Sequence, residues 1–245
     1  MTKSFITKTR WLVTIILLLS LSITNAWGAA NSTSINGNAI TGFGSETSYT
    51  SGSFTSGDIT IESNSGFSTT QFRVGKSKTM TISTSVGKIT KIVVTCSSTS
   101  YKFNSDALTY NNAVGTYENA SGTTSVTFTN SNANIARITK IEVTYGYLVT
   151  YDKNTGTGTM TDSNSPYAKN ATVTVKSNSF TAPTGKTFNG WNTASGGGGT
   201  SYAAGATFTI TADVTLYAQW ITAASCTTNA TVSAGSLKGS FKWSH

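Results

Sequence analysis

Carboxylates are the residues best suited by type to acid–base chemistry in this chain, which carries nine Asp and Glu among 245 residues. Glu46, Asp58, Glu62, Asp106, Glu118 and Glu142 all precede residue 146. Two of them facing each other across a cleft would supply the acid and the base or nucleophile of a glycoside hydrolase. Glu62 and Glu142, however, stand beside strand-like residues, where a solvent-facing charge is the ordinary role. Other catalytic groups are scarce. The single histidine is His245, at the last position, so Ser-His-Asp, Cys-His and multi-histidine metal constellations are excluded within the chain. No Asp-x-Asp cluster marks a calcium loop. The run Gly196-Gly197-Gly198-Gly199 lacks both the helix and the Lys-Ser/Thr of a phosphate cradle, and it is expected to be a flexible hairpin loop. These patterns predict a protein that is not an enzyme and uses no cofactor or metal.

Binding chemistry has more candidates. Aromatic rings stack on pyranose faces while Asn, Asp and Arg bond hydroxyls, and such groups often sit on loops. Tyr49, Phe54, Tyr101, Tyr110 and Tyr117, with Arg73 and Asp106, are the residues of this kind in the first half. The competing expectation is that most of these rings fill a core or clamp loops, because sequence alone does not distinguish an outward ring from an inward one.

The elements that must position such groups are strands. Thr, Ser, Asn and Gly supply about half of the chain, and only 11% of it is charged. Runs rich in Ala, Leu, Glu and Lys are missing beyond the N-terminal apolar stretch, which excludes a helical bundle, a Rossmann-type enzyme and a polytopic membrane protein. The N-terminus itself reads as a secretory signal peptide over 1–30. Lys3, Lys8 and Arg10 precede an apolar run from Trp11 to Thr24, and small residues follow at Ala26, Gly28 and Ala30. The run is short for a membrane span, so cleavage is expected, with no transmembrane span in the mature chain. Removing three of the 17 basic residues lowers the net charge from +8 to +5. Without a basic run or an RNP or helix-turn-helix pattern, no nucleic-acid partner is expected.

Residues 31–146 read as successive short strands at 58–62, 79–83, 89–95, 125–129 and 137–145, separated by Gly and Asn clusters. This predicts an antiparallel β-sandwich, jelly-roll-like in layout. Within it, Lys88-Ile89-Thr90-Lys91-Ile92-Val93-Val94-Thr95 returns as Arg137-Ile138-Thr139-Lys140-Ile141-Glu142-Val143-Thr144. The repetition suggests two equivalent hairpins in matching places in two sheets. Ile89, Ile92 and Val94 fall on one face only if a bulge near Thr90-Lys91 shifts the alternation. Cys96 is in phase with Ile92 and Val94 and is expected to be a buried, unpaired residue.

The segment 147–221 is more specific. It opens with Tyr147-Leu148-Val149-Thr150-Tyr151-Asp152 and a Gly-rich turn, and a strand is expected at 171–176. Then comes Gly185-Lys186-Thr187-Phe188-Asn189-Gly190-Trp191, and the segment closes on Leu216-Tyr217-Ala218-Gln219-Trp220. This pattern resembles the Listeria–Bacteroides repeat, the B-repeat of internalin-type surface proteins, although here in a single copy. The resemblance implies a small β-grasp-like module that serves in secreted and cell-envelope proteins as a spacer or interaction unit, without catalysis. Its motif residues in this chain are Gly185, Phe188, Gly190, Trp191, Leu216, Tyr217 and Trp220. Physically, Phe188, Trp191, Leu216 and Trp220 are what a small module needs to fill its core, and Gly185 and Gly190 suit turns around the Thr187-Phe188 strand. Residues 222–245 read as a linker and the truncated start of a further module. The whole is expected to act in adhesion, spacing or protein interaction at a bacterial envelope, its partner a host or bacterial surface protein or a glycan. The alternative is a carbohydrate-binding accessory module.

Overall fold

The computed structural model describes residues 31–36, 51–65 and 72–223. The expected signal peptide, Glu46, Tyr49, Cys226 and residues 224–245 lie outside them. The described chain is mainly β. Its strands are β1 (Asn31–Asn36), β2 (Gly52–Ser56), β3 (Ile59–Ser63), β4 (Phe72–Val74), β5 (Thr79–Thr84), β6 (Lys88–Cys96), β7 (Thr109–Asn111), β8 (Val114–Thr123), β9 (Ser125–Thr129) and β10 (Ala136–Gly146), followed by β11 (Val149–Asp152), β12 (Thr172–Thr174), β13 (Lys186–Asn192), β14 (Ser201–Tyr202), β15 (Thr207–Thr209) and β16 (Val214–Thr222). Among the described residues no helix is long and apolar enough to cross a membrane.

The first ten strands form two antiparallel sheets. One runs β1-β10-β6-β8-β7, with β4 also on β10; the other runs β2-β3-β5-β9. Alternation builds the core between them. Ile59 and Ile61 of β3, Met80 and Ile82 of β5, and Phe128 of β9 point inward from one sheet, and Ile92, Val94, Ile141 and Val143 from the other. The intervening Thr and Ser residues face outward, where β-branched side chains suit a pleated surface.

The repeated phrase resolves differently from the hairpins that the sequence suggests. Neither copy is a hairpin. In each, a strand of the four-stranded sheet (β5 or β9) crosses to the other sheet and continues as β6 or β10. The two crossings then pair with each other, β5 with β9 and β6 with β10, both antiparallel. The echoed strands are thus neighbours in one sheet, related by a pseudo-twofold axis. Val93 lies opposite its own counterpart Glu142, and Thr81 lies opposite Thr127, their hydroxyl oxygens 2.9 Å apart.

The bulge near Thr90 is present, and its symmetry mate is at Thr139. The register of β10 on β6 slips at both residues. Each threonine hydroxyl then reaches the equivalent carbonyl of the partner strand, Thr139 donating to Thr95 at 3.1 Å and Thr90 to Thr144 at 3.5 Å. Each bulge returns the following residues to the apolar face, so that Ile89, Ile92 and Val94 are all buried. Cys96 is buried and free, as its phase implies, and accepts the Phe103 N–H.

Beyond Gly146 the strands belong to a second core built on Val149, Tyr151, Tyr167, Val173, Trp191, Ile210 and Leu216. A mixed sheet runs β11-β16-β13-β14, and β12 pairs with β15 as a separate ribbon. The first and last strands, β11 and β16, are parallel neighbours, with Val149 opposite Val214 and Asp152 opposite Tyr217. Parallel strands need a long crossover, supplied here by everything between them. The two cores meet closely. Tyr147 packs against both, Lys88 and Asp213 form an ion pair of 3.1 Å across the junction, and Leu148 donates its N–H to Asp213. At Gly146 (φ +152°) a Cβ would lie 2.2 Å from the Tyr167 carbonyl, so only glycine fits.

Candidate functional site

The six described binding candidates in the sandwich do not form one site. Phe54, Tyr110 and Tyr117 pack against the core, Tyr117 edge-on to Phe128 with 5.9 Å between centroids. The Tyr110 hydroxyl donates to the Phe103 carbonyl, and burial pushes its ionisation above the ordinary tyrosine range. Asp106 is exposed in the turn before β7, and Tyr49 lies outside the described residues. Among the described candidates, Arg73 and Tyr101 are linked through Arg137, which the sequence did not mark as a binding residue. Arg137 of β10 stands opposite Arg73 of β4, and the Tyr101 ring covers its guanidinium at 4.0 Å. The signal for Arg137 was its place at the head of the echoed strand, which gives no hint of what stands across from it.

The described carboxylates of the first module are dispersed. Glu118 pairs with Lys91 at 2.8 Å and Glu142 with Lys140 at 2.7 Å, all partly exposed on the sheet face. Asp58 accepts from the Tyr145 hydroxyl at 3.3 Å, and Glu62 is exposed on β3.

In the second module the motif residues are structural. Trp191 is 1% exposed, and its indole N–H donates to the Lys176 carbonyl at 2.9 Å. Phe188 bridges Trp191 and Trp220, with centroids 5.0 and 5.7 Å away. Trp220 is half-buried and donates to the carbonyls of Lys153 and Asn154 at 3.0 and 2.8 Å. Leu216 is fully buried, and Tyr217 pairs with Asp152 and Asn192 across the sheet. Gly185 (φ +71°) turns the chain into β13. Gly190 (φ +107°) does not flank the strand but lies in a bulge inside it, where the register on β16 slips between Phe188 and Trp191.

Two polar residues that the sequence did not flag organise this module. Buried Asn192 donates to the carbonyls of Gly197 and Gly199 and to Ser201, and accepts from the N–H groups of Ala194 and Gly199. The glycine run forms the expected hairpin loop, between β13 and β14, and is tied by one side chain. Asp162, whose side chain is fully buried, accepts from Lys176 at 3.1 Å, from the Tyr167 hydroxyl at 2.8 Å and from the Asn164 N–H at 3.0 Å. This fastens the long excursion after β11 to the segment following β12. Burial, with Asp162 close by, raises the ionisation of Tyr167 above the usual tyrosine range; burial also raises that of Tyr151, which accepts the Lys176 N–H.

The tethered loop and the bulge leave an open groove of about 530 Å³, lined by Phe188, Asn189, Gly190, Tyr202 and Gln219 among others. Strand β14 pairs only with Trp191 and Asn192, so the edge of β13 from Phe188 to Gly190 borders the groove. Its lining offers half-buried rings and amides and no acidic or basic side chain. That chemistry suits a neutral polar ligand. Among the described residues no group of three or more His, Cys, Asp or Glu could hold a metal ion.

Residues 147–219 match the Listeria-Bacteroides repeat domain. No curated protein and no solved structure matches the chain significantly.

Proposed function

We propose, because a Listeria-Bacteroides repeat fits a secreted or surface protein module, that the chain is exported by a cleaved signal peptide and acts without catalysis at a cell envelope, as a spacer or protein-interaction unit in adhesion. One observation carries this reading: the family match falls on a module whose motif aromatics are spent on packing and whose long loops are tied by Asn192 and Asp162. A module so built presents a fixed surface rather than a reaction centre. The lysine partners of Glu118 and Glu142 further support a non-enzymatic role.

A second reading is favoured by the groove, where Phe188 and Tyr202 flank Asn189 and Gln219 as a neutral glycan would require. A glycan array and a cell-surface pull-down on the exported chain separate the two. Protein partners without glycan signal support the adhesion reading. Strong glycan binding that is lost in Asn189→Ala and Tyr202→Ala, with no protein partner, replaces it. Export is tested by sequencing the N-terminus of the protein recovered outside cells, which should begin just after Ala26, Gly28 or Ala30.

A further inference from the structure

The two modules meet tension along the chain in opposite ways. In the sandwich, the first strand β1 and the last strand β10 are antiparallel neighbours, with Asn31 opposite Tyr145. The chain enters and leaves at the same end of that pair. Pulling the ends apart peels β1 away, breaking its ladder one bond at a time. In the repeat, β11 and β16 are also first and last, but they are parallel, and the chain enters at Val149 and leaves at Thr222, at opposite ends of the pair. Tension then slides one strand along the other, and every bond of the ladder is loaded at once.

We propose that the repeat module is a load-bearing clamp, which holds under tension after the sandwich ahead of it has yielded. The inference rests on the surface role proposed above, since only a chain fixed at one end and held at the other carries tension. Bonds beyond the ladder strengthen the clamp. The Val214 N–H donates to the Leu148 carbonyl at its start. At its far end, Asn154 donates to the Ala218 carbonyl at 2.9 Å, and the Trp220 indole donates to the carbonyls of Lys153 and Asn154. The segment from Leu148 to Asn154 is thereby stitched to β16 along its whole length. β16 is in turn held on its other side by β13, from Lys186 opposite Thr222 to Asn192 opposite Tyr217. The strand most exposed to sliding is β11, whose Val149 and Tyr151 are anchored in the core.

Single-molecule force spectroscopy on residues 31–245, tethered by their two ends, tests this. Forced unfolding reports the barrier along the pulling direction rather than overall stability. The sandwich should rupture first. The last event should be the strongest and release about 25 nm, the extended length of roughly 75 residues. Moving the second tether to an Ala212→Cys handle, in a Cys226→Ser background, places both attachment points at one end of the β11–β16 pair. The repeat should then open at a force severalfold lower with its fold unchanged. Asn154→Ala should lower the end-to-end rupture force without changing the released length. A repeat that ruptures before the sandwich, or whose force does not depend on the tether position, overturns the clamp. Weak rupture in a protein displayed outside cells removes the clamp alone; a protein retained inside cells removes the surface reading on which it rests.

Discussion

Asp162 concentrates much of the repeat's polar energetics in one carboxylate. Its side chain is fully buried, while that of its partner Lys176 is 29% exposed. Asp162→Asn would remove the charge partner of Lys176 and weaken the bond to Tyr167, so the repeat should lose about 3 kcal/mol, at the low end for a broken buried pair because the lysine reaches water and keeps the Thr161 carbonyl and the Ser163 hydroxyl. Urea unfolding followed by the fluorescence of Trp191 and Trp220 measures this. Asn192→Ala leaves the carbonyls and N–H groups of the glycine loop without their shared partner and should cost about 2 kcal/mol by the same assay. The tyrosines set a pH limit. Tyr110, Tyr145, Tyr151 and Tyr167 all have their ionisation raised, with burial the leading cause in each. The unfolded chain therefore gives up these protons first. The stability they confer is complete below about pH 10 and is lost as the pH rises through the folded values. Thermal melts between pH 8 and pH 11.5 or so should show a falling midpoint accompanied by tyrosinate absorbance; a midpoint that stays level there would contradict the assignment.

At the scale of elements, the bulges and the glycines decide register. Deleting Thr90 would put Ile89 and the residues before it out of phase with the core, and the sandwich should fail to give a cooperative melt by circular dichroism. Gly146→Ala should cost 2 kcal/mol or more, roughly, because its φ and the Tyr167 carbonyl leave no room for a methyl group. Much of this level was legible in the sequence. Ile92, Val94 and Cys96 alternate with Lys91, Val93 and Thr95 in a way that only a strand requires, and the misfit of Ile89 marked the bulge. What the sequence withheld was pairing. Alternation says that a residue faces a core, not which sheet carries it, and so the echoed phrase suggested two sheets where there is one. The same gap hid the Arg73–Arg137 pair, which depends on β4 joining β10. Asn192 and Asp162 were hidden for another reason: Asn192 bonds mostly backbone groups, and Asp162 bonds Tyr167 and Lys176 across irregular loops, neither of which follows a helix or strand period.

For the whole molecule, the junction matters as much as either core. Tyr147 belongs to both, Lys88 and Asp213 join them, and Gly146 closes on Tyr167. Unfolding of one module therefore exposes part of the other's packing, and thermal unfolding should show coupled rather than independent transitions. Lys88→Ala should loosen that coupling by no more than about 1 kcal/mol, as both charges are partly exposed; scanning calorimetry would resolve the change as a wider gap between transitions. The match at residues 147–219 and the aromatic spacing agree because the motif describes a core, and cores write themselves into sequence as large residues at fixed intervals. The groove beside β13 left no such mark, since it arises from an edge that β14 is too short to cover.

The pseudo-twofold of the sandwich has a further consequence. Thr90 and Thr139 occupy equivalent bulges and make equivalent bonds, while Thr81 meets Thr127 and Val93 meets Glu142 across one axis. Either bulge therefore does for its strand what the other does for its partner, and the two crossings share one means of returning apolar residues to the core.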